Sequence, residues 1–359
     1  MSVSSPSTTS HVERERVFRF SALKTSFGTY RGVLIVLAAL LIFCSIVQSS
    51  FATVSNFQNV IDTNAILMIV AVGLTFPMLA GGFDLSVAGI DALSGVLLAK
   101  LLLAGVSIPL AILIIVIGAL LFGALTNGVL IGYFGVNFFI VTLGTLTITQ
   151  GVSLQFTGGN NIPLFNEQWL IELAGNNFGG VPIIGMVAAG VLVLGILIMR
   201  YTGFGRMIYA VGGNPEASRL AGINVARVRL ATYAVSAALA GLAGVLEVGR
   251  LASAGPTTDG NIELTAAAAV LIGGVAFGGG IGTLFGTFLG VAFLGVLESA
   301  LLLSGISSYW QGVITGVVLI TSVTLDRIRG RRGAKKKLLE SVLVTVPQST
   351  EANSATKEA

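Results

Sequence analysis

The sequence has few of the charged residues that cover the surface of a soluble protein. Only 10% of its 359 residues are charged and 54% are hydrophobic, whereas an ordinary soluble domain is roughly 25% charged. A water-soluble globule of this length needs charged side chains over its surface, and a disordered chain needs low hydrophobicity. This composition excludes both classes and indicates a protein solvated by lipid.

Histidine and cysteine each occur once. Cys44 therefore cannot form an intramolecular disulfide, which excludes a disulfide-stapled secreted scaffold. His11 lies in a polar terminal segment, so histidine-based zinc sites and Ser-His or Cys-His nucleophile arrangements are excluded as well. With no soluble catalytic domain either, the sequence predicts a chain that is not an enzyme, with no catalytic residues and no metal site.

The basic residues are concentrated in three places. Of the 20 Lys and Arg residues, 18 fall within 14–31, 200–229 and 327–357, while Lys100 and Arg250 lie elsewhere. Basic residues collect on the cytoplasmic side of membrane proteins, so we expect all three places and both termini to be cytoplasmic. We expect no nucleic-acid partner, because a basic DNA-binding face needs a soluble domain to carry it.

Long apolar runs separated by polar turns fill the middle of the chain. An apolar run of about 20 residues crosses a bilayer as a helix. The predicted fold is all-α, a polytopic membrane protein with about ten transmembrane helices over 33–326. It lies between a cytoplasmic tail (1–32) and a basic tail (327–359) that is predicted to be disordered. The predicted spans are 33–54, 63–80, 85–104, 108–131, 137–156, 182–200, 229–250, 263–279, 282–304 and 309–325.

The segment GGNPEASRLAGIN (212–224) predicts a short capped helix between spans six and seven. Asn214 can cap its N-terminus, Pro215 suits its first position and Glu216 favours the positive end of the helix dipole. Gly222 suits a left-handed stop. The segment is either a loop helix without a partner or a docking helix for a cytoplasmic protein, and the caps alone do not choose between the two.

Carboxylates occur at membrane depth, where they are costly unless they face a cavity or a partner. Asp84 and Asp91 in GGFDLSVAGID (81–91) are two helical turns apart and therefore share a face, and Glu298 lies inside span nine. Either Asp84 and Ser86 cap the start of span three, or Asp84, Ser86, Asp91 and Glu298 line a translocation pathway through a broken helix.

Glycine is dense in GGVAFGGGIGTLFGTFLG (273–290). No Lys-Ser or Lys-Thr pair follows, so the segment is not a phosphate-binding P-loop. Gly282, Gly286 and Gly290 recur every four residues, which predicts close packing of a helix on its neighbour. The run before Gly282 predicts a break in the helix.

Four segments resemble the permeases of ABC importers of the ribose and monosaccharide type, over about residues 50–326 and in the same order. The segments are YAVGGNPEASRLAGINVARVRL (209–230), GGFDLSVAG (81–89), LEVGRLASAGPTTDGNIEL (246–264) and SGISSYWQGVITGVVLI (304–320).

The resemblance implies the membrane-spanning permease subunit of a binding-protein-dependent importer in a bacterial plasma membrane. It implies three partners: a second permease copy, an extracytoplasmic binding protein, and a cytoplasmic ATPase docked on loop 201–228. The binding protein would deliver a small polar solute, with a monosaccharide as the leading class. ATP and Mg²⁺ would be bound by that ATPase, so this chain would hold no cofactor. Importers of nucleosides or branched-chain amino acids, and a stand-alone ion-coupled transporter, are the alternatives.

The resemblance also implies roles for individual residues. Glu247, Arg250 and Pro256 match the external-side motif of the family, and Glu247 and Arg250 are spaced to pair on one helix face. Asp84 and Ser86 match its DLSV segment. The positions implied for coupling to the ATPase are Gly212, Gly213, Asn214, Glu216, Ala217, Gly222 and Ile223.

Overall fold

The protein is almost entirely helical. Its structure, a computed structural model, describes residues 30–165, 167–257 and 261–307, with short stretches between 310 and 324 that are helical. Its helices are α1 (Tyr30–Val47), α2 (Val54–Leu79), α3 (Val87–Leu103), α4 (Ile108–Gly123), α5 (Val129–Gly132), α6 (Phe138–Thr157), α7 (Gln168–Gly175), α8 (Ile183–Tyr201), α9 (Gly203–Gly213), α10 (Pro215–Leu220), α11 (Val225–Leu251), α12 (Ile262–Ile272) and α13 (Leu284–Leu303). Its strands are β1 (Ile162–Pro163), β2 (Asn177–Phe178), β3 (Val181–Pro182) and β4 (Ser253–Ala254).

Among the described residues, seven helices are long and apolar enough to cross a membrane. They are α1, α2, α6, α8, α11, α13 and the continuous stretch from α4 through a π-helical turn to α5. The all-α polytopic fold is therefore confirmed. The third predicted span is the 17-residue α3 and the eighth is the 11-residue α12. The tenth span lies partly outside the described residues, as do nearly all of the tail 1–32 and the whole of 327–359.

Helix α2 begins earlier than predicted. Its first residue is Val54, where the sequence predicts a span from 63, because Thr53 caps the helix by accepting a hydrogen bond from the Asn56 backbone N–H (3.2 Å). The first turns carry polar side chains that make this stretch look like a loop in sequence. Gln58, for example, donates to the carbonyl of Gly180 (2.7 Å), so α2 continues past the apolar layer to meet the loop before α8.

Helix α11 lies at the centre and packs on α2, α3 and α4. Its small residues allow this close packing. A Cβ added at Gly241 would lie 2.7 Å from the Ala119 side chain on α4, and one added at Gly244 would overlap the backbone of Asp91 on α3. By contrast α1, α4, α6 and α8 expose apolar side chains along their length, as helices that face lipid must.

One end of the bundle gathers the start of α1, the end of α2, α9 and the start of α13. The hydroxyls of Tyr30 and Thr283 are hydrogen-bonded, and Tyr209 donates to the carbonyl of Gly282 (2.9 Å). Burial, with Tyr30 nearby, raises the pKa of the Tyr209 hydroxyl. We call this end the basic end, because the described arginines there are Arg31, Arg200, Arg206, Arg219, Arg227 and Arg229.

The opposite end, which we call the loop end, is built around residues 157–182. Here the loop after α6 meets the end of α11, with Ile162 paired to Ala254 and the Leu164 N–H donating to the Ala252 carbonyl (2.9 Å). Helix α7 lies in this loop and buries Leu170 against α11. Part of this segment therefore forms regular secondary structure, because its apolar residues pack against α11.

The glycine-rich segment behaves as its spacing predicts. Helix α12 ends at Ile272 and is followed by turns in which Gly274, Gly279, Gly280 and Gly282 have positive φ. A Cβ added at Gly286 would overlap Gly273, and one added at Gly290 would overlap Ala269. The predicted helix break and the close packing of α13 at Gly286 and Gly290 are confirmed, whereas Gly282 lies in the turn before α13 and not on the packed helix face.

Candidate functional site

The segment 212–224 forms the capped helix that its sequence predicts. The Asn214 side chain accepts a hydrogen bond from the Ala217 N–H (3.0 Å), and α10 follows with Pro215 at its first position. Gly222 ends the turn with φ of 84°. Asn224 then caps α11 by accepting from the Arg227 N–H (3.0 Å). These local bonds hold α10 as a rigid projection at the basic end.

Helix α10 presents side chains that no other described element covers. Glu216 and Arg219 form an ion pair of 3.2 Å on side chains that are 76% and 66% exposed. Leu220 is 90% exposed. Ala217 belongs to the same six-residue helix, and Ile223 in the following turn is partly buried against the core. A single exposed leucine is common, but here it lies beside an ion pair on one rigid projection.

The end of α9 is anchored by backbone contacts between glycines. A Cβ added at Gly212 would overlap the Leu79 carbonyl at the end of α2, and the Gly280 N–H donates to that same carbonyl (2.9 Å). A Cβ added at Gly279 would lie 2.7 Å from the Cα of Gly81. We call the set Gly81, Gly212, Gly279 and Gly280 the glycine junction.

The glycine junction was not predicted from the sequence. Its only sequence signal is a run of glycines in each of three separate segments, 81–82, 212–213 and 278–280. The backbone of Gly213 also lies against Gly280, but a Cβ added at Gly213 itself would meet no atom within 4 Å, unlike one added at Gly212. The junction joins the projecting α10 to the end of α2 and to the turn before α13.

Asp84 and Ser86 belong to a fully buried polar cluster. One Asp84 carboxylate oxygen accepts hydrogen bonds from the Ser86 backbone N–H (3.0 Å), the Ser86 hydroxyl and the Asn127 amide (3.4 Å). Asn127 also donates to the Ser86 hydroxyl (2.7 Å) and accepts from Thr145 on α6 (2.7 Å). Ser236 of α11 lies beside the same carboxyl. The cluster ties together the loop before α3, the π turn, α6 and α11.

Asn127 was missed by the sequence reasoning. It lies in the π-helical turn Ala124–Gly128, within an apolar run that gives no local sign of a polar contact. Such π turns place side chains off the regular helical period and are frequent at functional sites. Here the turn aims the amide at Asp84 and Ser86.

Replacing Asn127 by alanine is expected to destabilise the protein by about 1–3 kcal/mol, because it removes the acceptor of the buried Thr145 hydroxyl and the amide that donates to Asp84 and Ser86. The measurement is the thermal unfolding midpoint of the purified protein in detergent. Asn160→Ala is the matched control, since Asn160 is exposed and its side chain, among the described residues, donates only to the nearby Gly158 carbonyl. Equal midpoints for the two variants would contradict the role given to Asn127.

Asp91 does not share a continuous helix with Asp84, because α3 begins at Val87. Both carboxyls nevertheless face α11. The Asp91 carboxyl is fully buried and faces the Glu247 carboxyl at close range, and apart from Glu247 neither of its oxygens has a hydrogen-bond partner among the described residues. The sequence reasoning named Asp91 and Glu247 separately, and the structure brings them together.

Asp91 and Glu247 line a cavity of about 230 Å³ between α3, α11 and the loop end. Its other described lining residues are mostly small or polar, with two larger apolar side chains among them: Ala92, Gly95, Asn161, Gly244, Val248, Leu251, Ser253, Gly255 and Thr257. Two carboxyl groups thus meet in a space with room for a small molecule.

The remaining predicted residues lie elsewhere. Arg250 donates to the Thr63 carbonyl on α2 (3.4 Å) and lies near Asp62, and Pro256 is buried in the loop after β4. Glu298 is half-buried on α13, which packs on α12 and α2. It is not among the described residues that line the cavity, so the structure does not bring it to Asp91.

Comparison with known proteins gives long matches. A family described as branched-chain amino acid transport system / permease component matches residues 56–323. The ribose import permease protein RbsC of Bacillus subtilis is 38% identical over 88% of this chain and 96% of its own. The Escherichia coli RbsC is 37% identical over 82% and 92%, and the Escherichia coli D-allose transport system permease protein AlsC is 34% identical over 89% and 97%. No solved structure gives a significant match.

The family match covers most of the apolar core, from α2 to the described residues near 320, and the relatives match over nearly their whole length. Both the segment 212–224 and the cavity lined by Asp91 and Glu247 lie within the matched region. The chain therefore belongs to the permease family of the branched-chain amino acid transport system type, and it is a multi-pass inner-membrane transport component.

Proposed function

We propose that this chain is the membrane-spanning permease subunit of an ATP-driven importer of a monosaccharide. The observation that carries the proposal is the similarity, over nearly full length, to permeases named for ribose and D-allose. The family description names branched-chain amino acids instead. The sugar is favoured because both of these full-length relatives are sugar permeases.

The basic end lies in the cytoplasm in this proposal. Arginine is concentrated there, whereas the loop end carries acidic Glu167 and Glu172, and this asymmetry follows the positive-inside rule. Contacts between helix ends place the start of α1 at the basic end, which supports a cytoplasmic N-terminus. The tenth predicted span would return the C-terminal tail to the same side.

Helix α10 is the docking element for a cytoplasmic ATPase in this proposal. Its exposed Glu216, Arg219 and Leu220 offer one ion pair and one apolar contact to a partner. Movement of α10 reaches α2 and α13 through the glycine junction, because backbone packed directly on backbone has no flexible side chain to absorb a displacement. ATP and Mg²⁺ belong to the partner, and this chain supplies the moving gate.

The loop end receives the solute from an extracytoplasmic binding protein, and a second permease copy completes the channel. The resemblance of the 246–264 segment to the external-side family motif supports the first of these assignments. Asp84, Ser86, Asp91 and Glu298 remain candidates for the pathway. Of these, Asp91 is the one that lines a described cavity.

Reconstitution into liposomes tests the proposal. The permease alone is expected to be inert, and uptake of labelled D-ribose or D-allose should begin only when the ATPase, the binding protein and ATP are all present. Omitting each component in turn is the control. Uptake by the permease alone under an ion gradient would contradict the proposal and favour a secondary transporter, and uptake of leucine but neither sugar would assign the substrate to the other branch of the family.

A further inference from the structure

The cavity between α3 and α11 has the composition of a binding site for a neutral, hydroxyl-rich molecule. Its described lining contains two carboxyl groups, one amide and two hydroxyls, from Asp91, Glu247, Asn161, Ser253 and Thr257. Carboxylates accept hydrogen bonds from hydroxyl groups strongly, and amides and hydroxyls can donate to a ring oxygen. A few convergent polar groups in a concave space are typical of a small-molecule site.

Asp91 places a buried acceptor inside this cavity. Its side chain is fully buried, it lines the cavity, and apart from the carboxyl of Glu247 neither of its oxygens has a hydrogen-bond partner among the described residues. A buried carboxyl whose one close polar neighbour is another carboxyl is costly, and packing alone gives no reason to keep one here. A ligand that donates hydrogen bonds would remove that cost.

The position of the cavity suits an outer step of transport. Gly244, which packs directly on the Asp91 backbone, is seven residues before the end of α11, or about 10 Å at 1.5 Å per residue. Glu247 lies one turn nearer the loop end, and Ser253 and Thr257 lie in the loop that covers the cavity. A solute that arrives at the loop end would therefore meet Thr257 first and Asp91 last.

The lining discriminates between solute classes. A sugar phosphate or another anion would be repelled by two carboxyl groups with no Lys or Arg among the described lining residues. A nucleoside base would find no aromatic ring among them to stack on. A volume of about 230 Å³ holds roughly eight water molecules at 30 Å³ each, which is room for one monosaccharide ring.

We propose that the cavity lined by Asp91 and Glu247 is an outer binding site for the transported monosaccharide, in which the two carboxyls accept hydrogen bonds from sugar hydroxyls. This inference rests on the proposed import function. It assigns the sugar-contacting residues on the permease itself, separate from the α10 end where energy is supplied.

The test uses the full complex of permease, ATPase and binding protein in proteoliposomes, with ¹⁴C-labelled D-ribose and D-allose as probes. Asp91→Asn and Glu247→Gln keep the shape of each side chain and replace one acceptor oxygen by an amide donor. Each is expected to lower sugar uptake per ATP hydrolysed about tenfold, while ATP hydrolysis stimulated by the binding protein changes by less than about twofold. Glu172→Gln is the matched control, because Glu172 is exposed at the same end and is not among the described lining residues.

Thr257→Trp is a second variant, for the case that the substitutions at Asp91 or Glu247 prevent insertion. Thr257 is exposed at the rim of the cavity, so a large side chain there should obstruct the cavity and lower uptake. Wild-type uptake per ATP in the inserted variants would overturn the inference. So would an equal loss of uptake and ATP hydrolysis, which would mark a structural role. If the wild-type complex transports neither sugar, the import proposal fails, and that result is separate from a failure of the site.

Discussion

Gly212→Ala is expected to abolish coupled solute uptake. The added methyl group would overlap the Leu79 carbonyl and lie 2.5 Å from the Gly280 backbone nitrogen, and neither backbone atom can turn aside. Overpacking of this kind typically costs about 1–3 kcal/mol, and each 1.36 kcal/mol lost from a rate-limiting step is about tenfold in rate. To make room for the methyl group, α9 must move away from α2 and from the turn before α13. We therefore expect uptake to fall at least tenfold.

The measurement is sugar uptake and ATP hydrolysis by the same proteoliposomes. Gly213→Ala is the matched comparison, since it adds the same methyl group one residue further along, where no atom lies within 4 Å. It should insert and assemble with the ATPase like the wild type. If the two variants transport equally well, the glycine junction does not carry the movement of α10 to the membrane helices.

Leu220→Asp is expected to prevent the ATPase from binding. Leu220 is 90% exposed, so the substitution should leave the fold intact, since surface substitutions usually change stability by less than about 0.5 kcal/mol. At a docked interface, however, it would place a charge against an apolar contact. Burial of an unpaired charge is costly enough to remove most of the affinity of a small interface. Reversing the nearby charge with Glu216→Arg should act in the same direction by breaking the ion pair with Arg219.

Co-purification of the tagged permease with its ATPase measures this effect. Phe178→Asp is the matched control, because Phe178 is an apolar side chain that is 72% exposed at the loop end, where the ATPase is not expected to bind. Retained ATPase in Leu220→Asp, with insertion unchanged, would move the docking site away from α10. Loss of the ATPase in both variants would point to a general defect in assembly.

Local features were predictable because local bonds produce them. The caps of α10 and α11 depend on Asn214, Asn224 and residues within three positions of each. The helix break after α12 depends on consecutive glycines, which tolerate positive φ. The end of α1 and the start of α2 were less predictable, because Thr53 caps a helix whose first turns are polar and look like a loop until Gln58 meets the opposite segment.

Composition and spacing alone determined that this chain is solvated by lipid, that its helices are apolar, and that most of its arginines mark one end. These properties follow from the free energy of moving side chains and backbone between water and lipid. That free energy depends on the composition of each segment alone and not on its neighbours in the fold. Only the tertiary structure showed that Asn127 donates a hydrogen bond to Asp84, that Asp91 and Glu247 line the same cavity, and that glycines from separate segments form a junction. Those contacts join residues that are far apart in the chain. A glycine that allows close approach has no side chain, so the sequence gives no indication of which segment packs against it.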